Sequence, residues 1–307
     1  MLIARLNGGI GNQLFQYAFV RSLSLKLNRK FKLDISWYND YDKFEKADDP
    51  NAATKRDFLL NHFNIQSSVI NNIQLNWIKR LEIRSKNSFF LKLLLKGPLN
   101  NFSFENIDQD NYSLELIKKF PRVYLKGYWQ NHDLIDEYKK QISNDIYLKQ
   151  PPSANNQSYL KFINSTNSVA IHFRRGDFVS KPKPQKLHAP CSSNYYQNSI
   201  RQMQKLIDNT HFFIFSDDIK WIINNYDFPI NTTFIDNAGP DYEHLFLMSQ
   251  CKHHITANST FSWWGAWLNP NSSKIIITPK YWYNDKYLND TLTRIPKEWI
   301  KINNMIL

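Results

Sequence analysis

Residues Val169–Val179 read VAIHFRRGDFV. Val169, Ile171 and Phe173 alternate with Ala170, His172 and Arg174, which is the period of a strand. His172 and Arg174 therefore leave that strand on one face. Arg175, Gly176 and Asp177 then turn the chain where the strand ends. In a doubly wound α/β sheet, ligands sit outside the carboxyl ends of the strands. Two guanidiniums and a histidine at such an end make a clamp for a diphosphate, because the planar fork matches phosphate oxygens bidentately. A plainer reading pairs Arg174 or Arg175 with Asp177 across the turn, and a short R-R-G-D motif alone does not choose between the two.

Outward from this strand, the second half of the chain alternates strands and helices. A helix is expected around Asn194–Asp208, then a strand His211–Phe215 that runs into Ser216-Asp217-Asp218 and a helix near Ile219–Asn224. Thr233–Ile235 precedes Asp236 and a helix from Tyr242 to Gln250. His254–Ala257 gives way to Asn258-Ser259-Thr260 and a helix Phe261–Leu268, and Lys274–Thr278 is the last expected strand. Such alternation predicts a parallel sheet covered on both faces. The polar sets after these strands fall at one edge. Each set alone also reads as helix capping. Together they suggest that the arginine pair and the Ser259-Thr260 helix start hold a diphosphate. One of Asp217, Asp218 and Asp236 would then take base or ribose groups. Phe261 lies near enough to touch the ligand, while Trp263 and Trp264 read as packing.

The first half opens with a strand, Leu2–Leu6, a glycine turn (Asn7-Gly8-Gly9-Ile10-Gly11-Asn12-Gln13) and a helix. A second strand, Phe31–Ile35, contains Asp34. This imitates a dinucleotide fingerprint, but Leu14 stands where the third small residue belongs and no Y-x-x-x-K pair follows. A nicotinamide-dependent oxidoreductase is thus an alternative with a partial motif behind it. Asn12 and Gln13 suit hydrogen bonds to sugar hydroxyls or phosphate, or helix capping. After a strand from Val123, Tyr128, Trp129 and Gln130 are placed to stack on and bond a sugar acceptor, or to close a core. Asp40-Tyr41-Asp42 and Asp108-Gln109-Asp110 match a D-x-D metal motif without a preceding apolar strand, so they read as solvated turns and no metal is expected. The Pro- and Asn-rich stretch Gln150–Ser158 is the clearest linker, which puts the domains at 1–152 and 153–307.

The 307 residues fit two domains of about 150 residues each. The formal charge of +12 favours an anionic partner, but the basic residues form no nucleic-acid module. With two cysteines, Cys191 and Cys251, there is no disulfide framework. With the start MLIARLN and no apolar run of 18, this points to the cytoplasm. Residues 77–96 carry six basic side chains among bulky apolar ones, which reads as a peripheral membrane contact or as a core helix with a basic outer face.

GGIGNQLFQYA at the N-terminus, GYWQ at 127–130, HFRRGDFV, FSDD and NSTFSWWGAWL together resemble the bacterial α-1,2-fucosyltransferases of glycosyltransferase family 11. The resemblance spans nearly the whole chain. It implies a GT-B-like fold of two Rossmann-like domains with a cleft between them, the first domain mainly for the acceptor and the second for GDP-fucose. The implied reaction is metal-independent, inverting transfer of L-fucose to the 2-hydroxyl of a terminal β-galactose, on a lipid-linked or other O-antigen-like glycan. Arg174 matches the H-x-R-R arginine on the donor diphosphate, and Ser259-Thr260-Phe261 matches the family's S-x-F segment at the nucleotide. His172, Arg175, Ser216, Asp217, Asp218, Asn258, Asn12 and Gln13 complete the expected donor set. Tyr128, Trp129, Gln130 and His188 make the acceptor set. His188-Ala189 departs from the family's His-Gly. Asp177 is the candidate general base, with orientation of the arginines as its other role. A non-catalytic glycan-binding protein would share the aromatics but would not need paired arginines beside a phosphate-type helix start.

Overall fold

The computed structural model describes residues 1–39, 55–70, 76, 105–109, 112–176, 188–236, 239–291 and 294–305. The basic stretch 77–96, the acids Asp40 to Asp42, Asp110 and the candidate base Asp177 lie outside the described residues. Two compact units form, and the chain passes from the first to the second at Tyr147–Leu148.

The first unit is built on a five-stranded sheet. Its strands are β1 (Leu2–Arg5), β2 (Phe31–Asp34), β3 (Ser68–Val69), β4 (Glu105–Asp108) and β5 (Val123–Lys126). All pairings are parallel, in the order β3-β2-β1-β5-β4. Helix α1 (Ile10–Leu27) buries Leu14, Phe15, Tyr17, Ala18, Phe19, Val20 and Leu23, so it is apolar nearly all round, as a core helix must be. It stops at Asn28, which takes the left-handed conformation (φ 48°) while the amides of Asn28 and Arg29 return to Leu25 and Ser24. Asn tolerates that conformation better than other residues with a Cβ. Short helices α2 (Leu114–Lys119), α3 (Asp133–Asp136) and α4 (Lys139–Asp145) follow. The buried Asp145 ties α4 to α1, accepting from the Tyr17 hydroxyl and from Arg21 Nε, both at 2.8 Å.

In the sequence, Asp108-Gln109-Asp110 reads as a solvated turn with no strand before it; the strand Glu105–Asp108 runs into that segment. Paired along its whole length with β5, it gains from its neighbour what its own composition lacks.

The second unit holds a six-stranded, all-parallel sheet in the order β11-β10-β9-β6-β7-β8. Its strands are β6 (Asn167–Phe173), β7 (Thr210–Ser216), β8 (Thr232–Phe234), β9 (His253–Ile255), β10 (Ile276–Pro279) and β11 (Ile300–Ile302). The helices are α5 (Ala154–Ser165), α6 (Ser193–Leu206), α7 (Ile219–Asn225), α8 (Asp241–Gln250), α9 (Thr260–Leu268) and α10 (Lys286–Thr291). The expected strand-helix alternation is present, and β11 extends it beyond the strand at which the sequence reading ended.

Both faces of β6 are covered. Val169, Ile171 and Phe173 pack with Tyr195, Tyr196, Ile200 and Met203 of α6. Ala170 packs on the opposite face with Ile163 of α5 and Leu247 and Met248 of α8. His172, two residues on from Ala170, shares that second face.

The start of α5 is fastened to α8 through Glu243, which is 7% exposed. Its Oε2 accepts from Ser153 N (2.9 Å), Ser153 Oγ (2.7 Å) and Asn156 Nδ2 (2.6 Å). Burial pulls the carboxyl pKa upward, but the hydrogen bonds from Asn156 and Ser153 outweigh it and hold the pKa below the ordinary 4.5. A depressed carboxylate stabilises the fold above its unfolded pKa and loses that contribution as pH falls through the folded value. Glu243→Gln is expected to cost about 1–3 kcal/mol at neutral pH. In urea unfolding, the variant should also lose less stability than the wild type as pH falls from about 5 to about 3. Parallel pH curves for the two proteins would contradict this account.

Candidate functional site

In the second sheet the strand order reverses beside β6. From there the chain moves outward through β7 and β8, then returns to lay β9 and β10 on the other side. The crevice at the carboxyl ends of β6 and β9 is thus the topological switch point, where open α/β sheets place their ligands. Arg174-Arg175-Gly176 leaves the end of β6, and Thr256 to Ser259 leads from the end of β9 into the start of α9.

Arg174 Nη1 donates to Asp217 Oδ2 at 2.6 Å, and Arg175 N donates to Asp217 Oδ1 at 3.0 Å. The residue just beyond β7 therefore orients the one just beyond β6. A guanidinium carries five donors, and the contact with Asp217 fixes the direction of this fork. Gly176 makes the approach possible, since a Cβ there would run into Asp217 Oδ2. Arg175 is spent differently. Its guanidinium lies 3.2 Å over the Trp221 ring, and its Nε meets Asp218 Oδ2 at 3.3 Å. Asp218 also caps α7 by accepting from Trp221 N, and its own amide donates to Ser216 Oγ. Arg175, Ser216 and Asp218 thus form a brace under Arg174 and Asp217. Asp236 accepts from the Tyr159 hydroxyl at 3.0 Å.

His172 is 5% exposed, and its buried Nδ1 meets no hydrogen-bond partner among the described residues. Burial holds the imidazole neutral, well below the ordinary histidine range. Its ring lies 5.3 Å from that of Phe261, tilted by 41°. On the β9 side, Ser259 caps α9 by accepting from Phe261 N at 3.3 Å. The first-turn N–H groups of such a helix attract anions, so Ser259, Thr260 and Phe261 stand across the switch point from Arg174. Asn258 is buried, and its Nδ2 donates to Ala189 O and, at 3.3 Å, to Trp282 O, which knits two loops to the edge.

Those loops bring in residues that sequence reasoning either set aside for the acceptor or missed. His188 forms an antiparallel bridge with Tyr283 and stacks on it, with centroids 5.5 Å apart and planes at 21°. Burial first, then the charges of Arg294 and Arg174, push its pKa down to about 4. Tyr283 and Arg294 carry no periodic or motif signal. Only the folded chain brings them to this edge, with the Arg294 guanidinium 4.8 Å from the Tyr283 ring centroid.

The first sheet has its own switch point, between β1 and β5. Gly8 turns the chain there with φ 78°, and Asn12 Oδ1 accepts from Gln130 Nε2 at 2.8 Å. Tyr128, beside them in sequence, is 45% exposed. Gln13 and Trp129 are placed otherwise. Gln13 is fully buried, bonded to Gly8 O, Asp57 O and Leu59 N. Trp129 is 3% exposed and stacked on Phe19 at 4.3 Å. Asp34, the acid of the partial dinucleotide fingerprint, is fully buried and bonded to the Tyr124 hydroxyl and Ser36 N, which leaves it no ribose to hold. Among the described residues no cluster of three metal-ligating side chains occurs.

The model of glycosyl transferase family 11 matches residues 1–303. The chain is 31% identical over 310 residues to the alpha-1,2-colitosyltransferase of Escherichia coli, covering 98% of this chain and 99% of that one. It is 32% identical over 307 residues to the O-antigen biosynthesis glycosyltransferase WbnK of Escherichia coli, covering 91% and 93%. Among solved structures, the fucosyltransferase NodZ from Bradyrhizobium matches with a TM-score of 0.46 at 12% identity, over 86% of this chain and 91% of that one.

Asn258→Ala would remove the donor that Ala189 O and Trp282 O share, leaving each with one long contact of 3.4 Å, from Asn304 Nδ2 and Ala189 N respectively, at a cost of about 1–3 kcal/mol. Thermal unfolding should show a drop of several degrees. An unchanged midpoint would mean that Asn258 does not tether the His188 and Tyr283 loops.

Proposed function

The chain belongs to glycosyltransferase family 11, and from that footing we propose that it moves L-fucose from GDP-β-L-fucose to the 2-hydroxyl of a terminal β-galactose on an O-antigen-like glycan, with inversion. The observation that carries the reading is Arg174, held by Asp217 at the β6–β9 switch point opposite the capped start of α9.

As the acceptor oxygen attacks the anomeric carbon, the bond to the β-phosphate oxygen breaks and negative charge grows on the leaving GDP. Arg174 and the α9 amides stand where that charge develops, so they favour the transition state over the ground state. Fixed cations in this role do what a divalent metal does elsewhere. We assign Arg175, Ser216 and Asp218 to bracing Arg174, and His172 and Phe261 to the wall of the donor site. Asn12, Tyr128 and Gln130 are assigned to ligand contacts at the first unit's switch point. Asp177 is assigned to taking the proton from the attacking hydroxyl.

The Escherichia coli relative named for colitose favours a second donor, GDP-colitose, whose sugar is fucose without its 3-hydroxyl. Among the described residues no helix is long and apolar enough to cross a membrane.

The test is transfer to a β-galactoside from GDP-fucose and from GDP-colitose, each with and without EDTA. Fucose transfer that survives EDTA is the expected result. Arg174→Ala should lose at least about a hundredfold in kcat, in line with removal of one oxyanion-stabilising donor. Arg175→Lys, which weakens a brace, should lose less. Near-normal turnover in Arg174→Ala would overturn the assignment. Binding of NADPH without GDP would revive the oxidoreductase reading.

A further inference from the structure

The two arginines after β6 bring no net charge to the edge, because Asp217 and Asp218 answer them one for one. A nucleoside diphosphate carries several negative charges, so an edge built to hold it needs a cation that no carboxylate has claimed. Arg294 fits that description. Its Nε is shut off from solvent without a hydrogen-bond partner, and no carboxylate pairs with it among the described residues. The Tyr283 and Trp282 rings lie 4.8 and 5.8 Å from its guanidinium carbon. They offer a cation their faces but no lone pair for its N–H groups. Burial weighs on the charge and lowers its pKa from the usual guanidinium value. A half-buried cation with a buried Nε and no carboxylate beside it among the described residues is costly, and such a group in a folded protein calls for an explanation.

Its position supplies one. The indole N–H of Trp263, in the first turn of α9, donates to the Arg294 carbonyl at 2.7 Å, so Arg294 is pinned beside the helix start that faces Arg174. Tyr283 stacks on His188 and lies 4.8 Å from the Arg294 guanidinium, so Arg294 sits in the loop cluster that Asn258 ties to the end of β9. We propose that Arg294 is a second anion-holding residue of this edge, taking phosphate oxygens of the nucleoside diphosphate alongside Arg174 and the α9 amides. Among the described residues no carboxylate claims its charge, which leaves that charge for such a ligand. This rests on the donor-site reading given under Proposed function.

The experiment is calorimetric titration of wild type, Arg294→Met, Arg294→Gln and Arg294→Lys with GDP, guanosine and inorganic pyrophosphate, together with the melting temperature of each protein without ligand. The Met and Gln variants should bind GDP about tenfold to a hundredfold more weakly, the loss expected for one charge-assisted contact. Guanosine binding should be unchanged, and Lys should restore part of the loss. Because the ligand-free charge is unpaired, the Met variant should melt at the wild-type temperature or above it. GDP affinity within twofold of wild type in the Met and Gln variants overturns the proposal. So does a falling melting temperature with GDP affinity intact, which would make Arg294 a packing residue. If one of these two variants does not fold, the other decides. Wild-type protein that binds GDP no more tightly than guanosine sinks the donor-site reading itself. Arg294-dependent pyrophosphate binding in that case would keep the anion site and discard the nucleotide.

Discussion

Parallel pairing forces every strand of a sheet to end at the same edge. Each parallel connection must then cross back over a face, so each crossover helix begins at that edge too. Those helix starts bring unsatisfied N–H groups with them. In the second sheet the starts of α6, α7 and α9 are capped by Ser192, Asp218 and Ser259. β6 lies inside the sheet, with β7 on one side and β9 on the other. The residues just past its end are consequently surrounded by loops from both neighbours. The chemistry of Arg174 depends on that crowding more than on any single contact.

The three arginines of the edge show how environment divides one residue type into separate roles. The Arg174–Asp217 pair is partly exposed, and pairs of that kind add little to stability. Its physical effect is direction, because it fixes where the fork points. Arg175 has given up mobility to a flat contact with Trp221 and a bond to Asp218, so its charge works within the fold. Arg294 lies against the Tyr283 and Trp282 rings with no carboxylate paired to it among the described residues. The aromatic residues at this edge are likewise more often scaffolding than ligand surface: Trp221 carries Arg175, and Tyr283 backs both His188 and Arg294.

Much of this was legible in the residue order. The alternation through Val169–Phe173 assigned His172 to the face opposite Phe173, and the Asn258-Ser259-Thr260 run announced a helix start at the right place. Local chemistry failed where direction mattered. Gln13 and Trp129 have the composition of ligand contacts, yet one points into the body of the first unit and the other stacks on Phe19. The sequence cannot show which way a side chain turns at the tip of a loop. Glu105–Asp108 and Ile300–Ile302 are strands because a neighbour pairs with them, and that cause lies many residues away. Arg294 escaped notice because what sets it apart, two rings beside it and no carboxylate among the described residues, exists only in three dimensions.

Gly176 is solvent-exposed, carries no charge and lies just past the end of β6, which would ordinarily mark a position open to substitution. The space its missing Cβ leaves is filled by the carboxylate that steers Arg174. Replacing it with even alanine would push Asp217 aside and release the guanidinium while leaving every polar and charged residue of the edge in place. A position of this kind has the surface exposure of a variable site and the intolerance of a core one. Estimates of mutational tolerance based on exposure alone would rank it wrongly, and libraries that randomise the residues around it would do best to hold it constant.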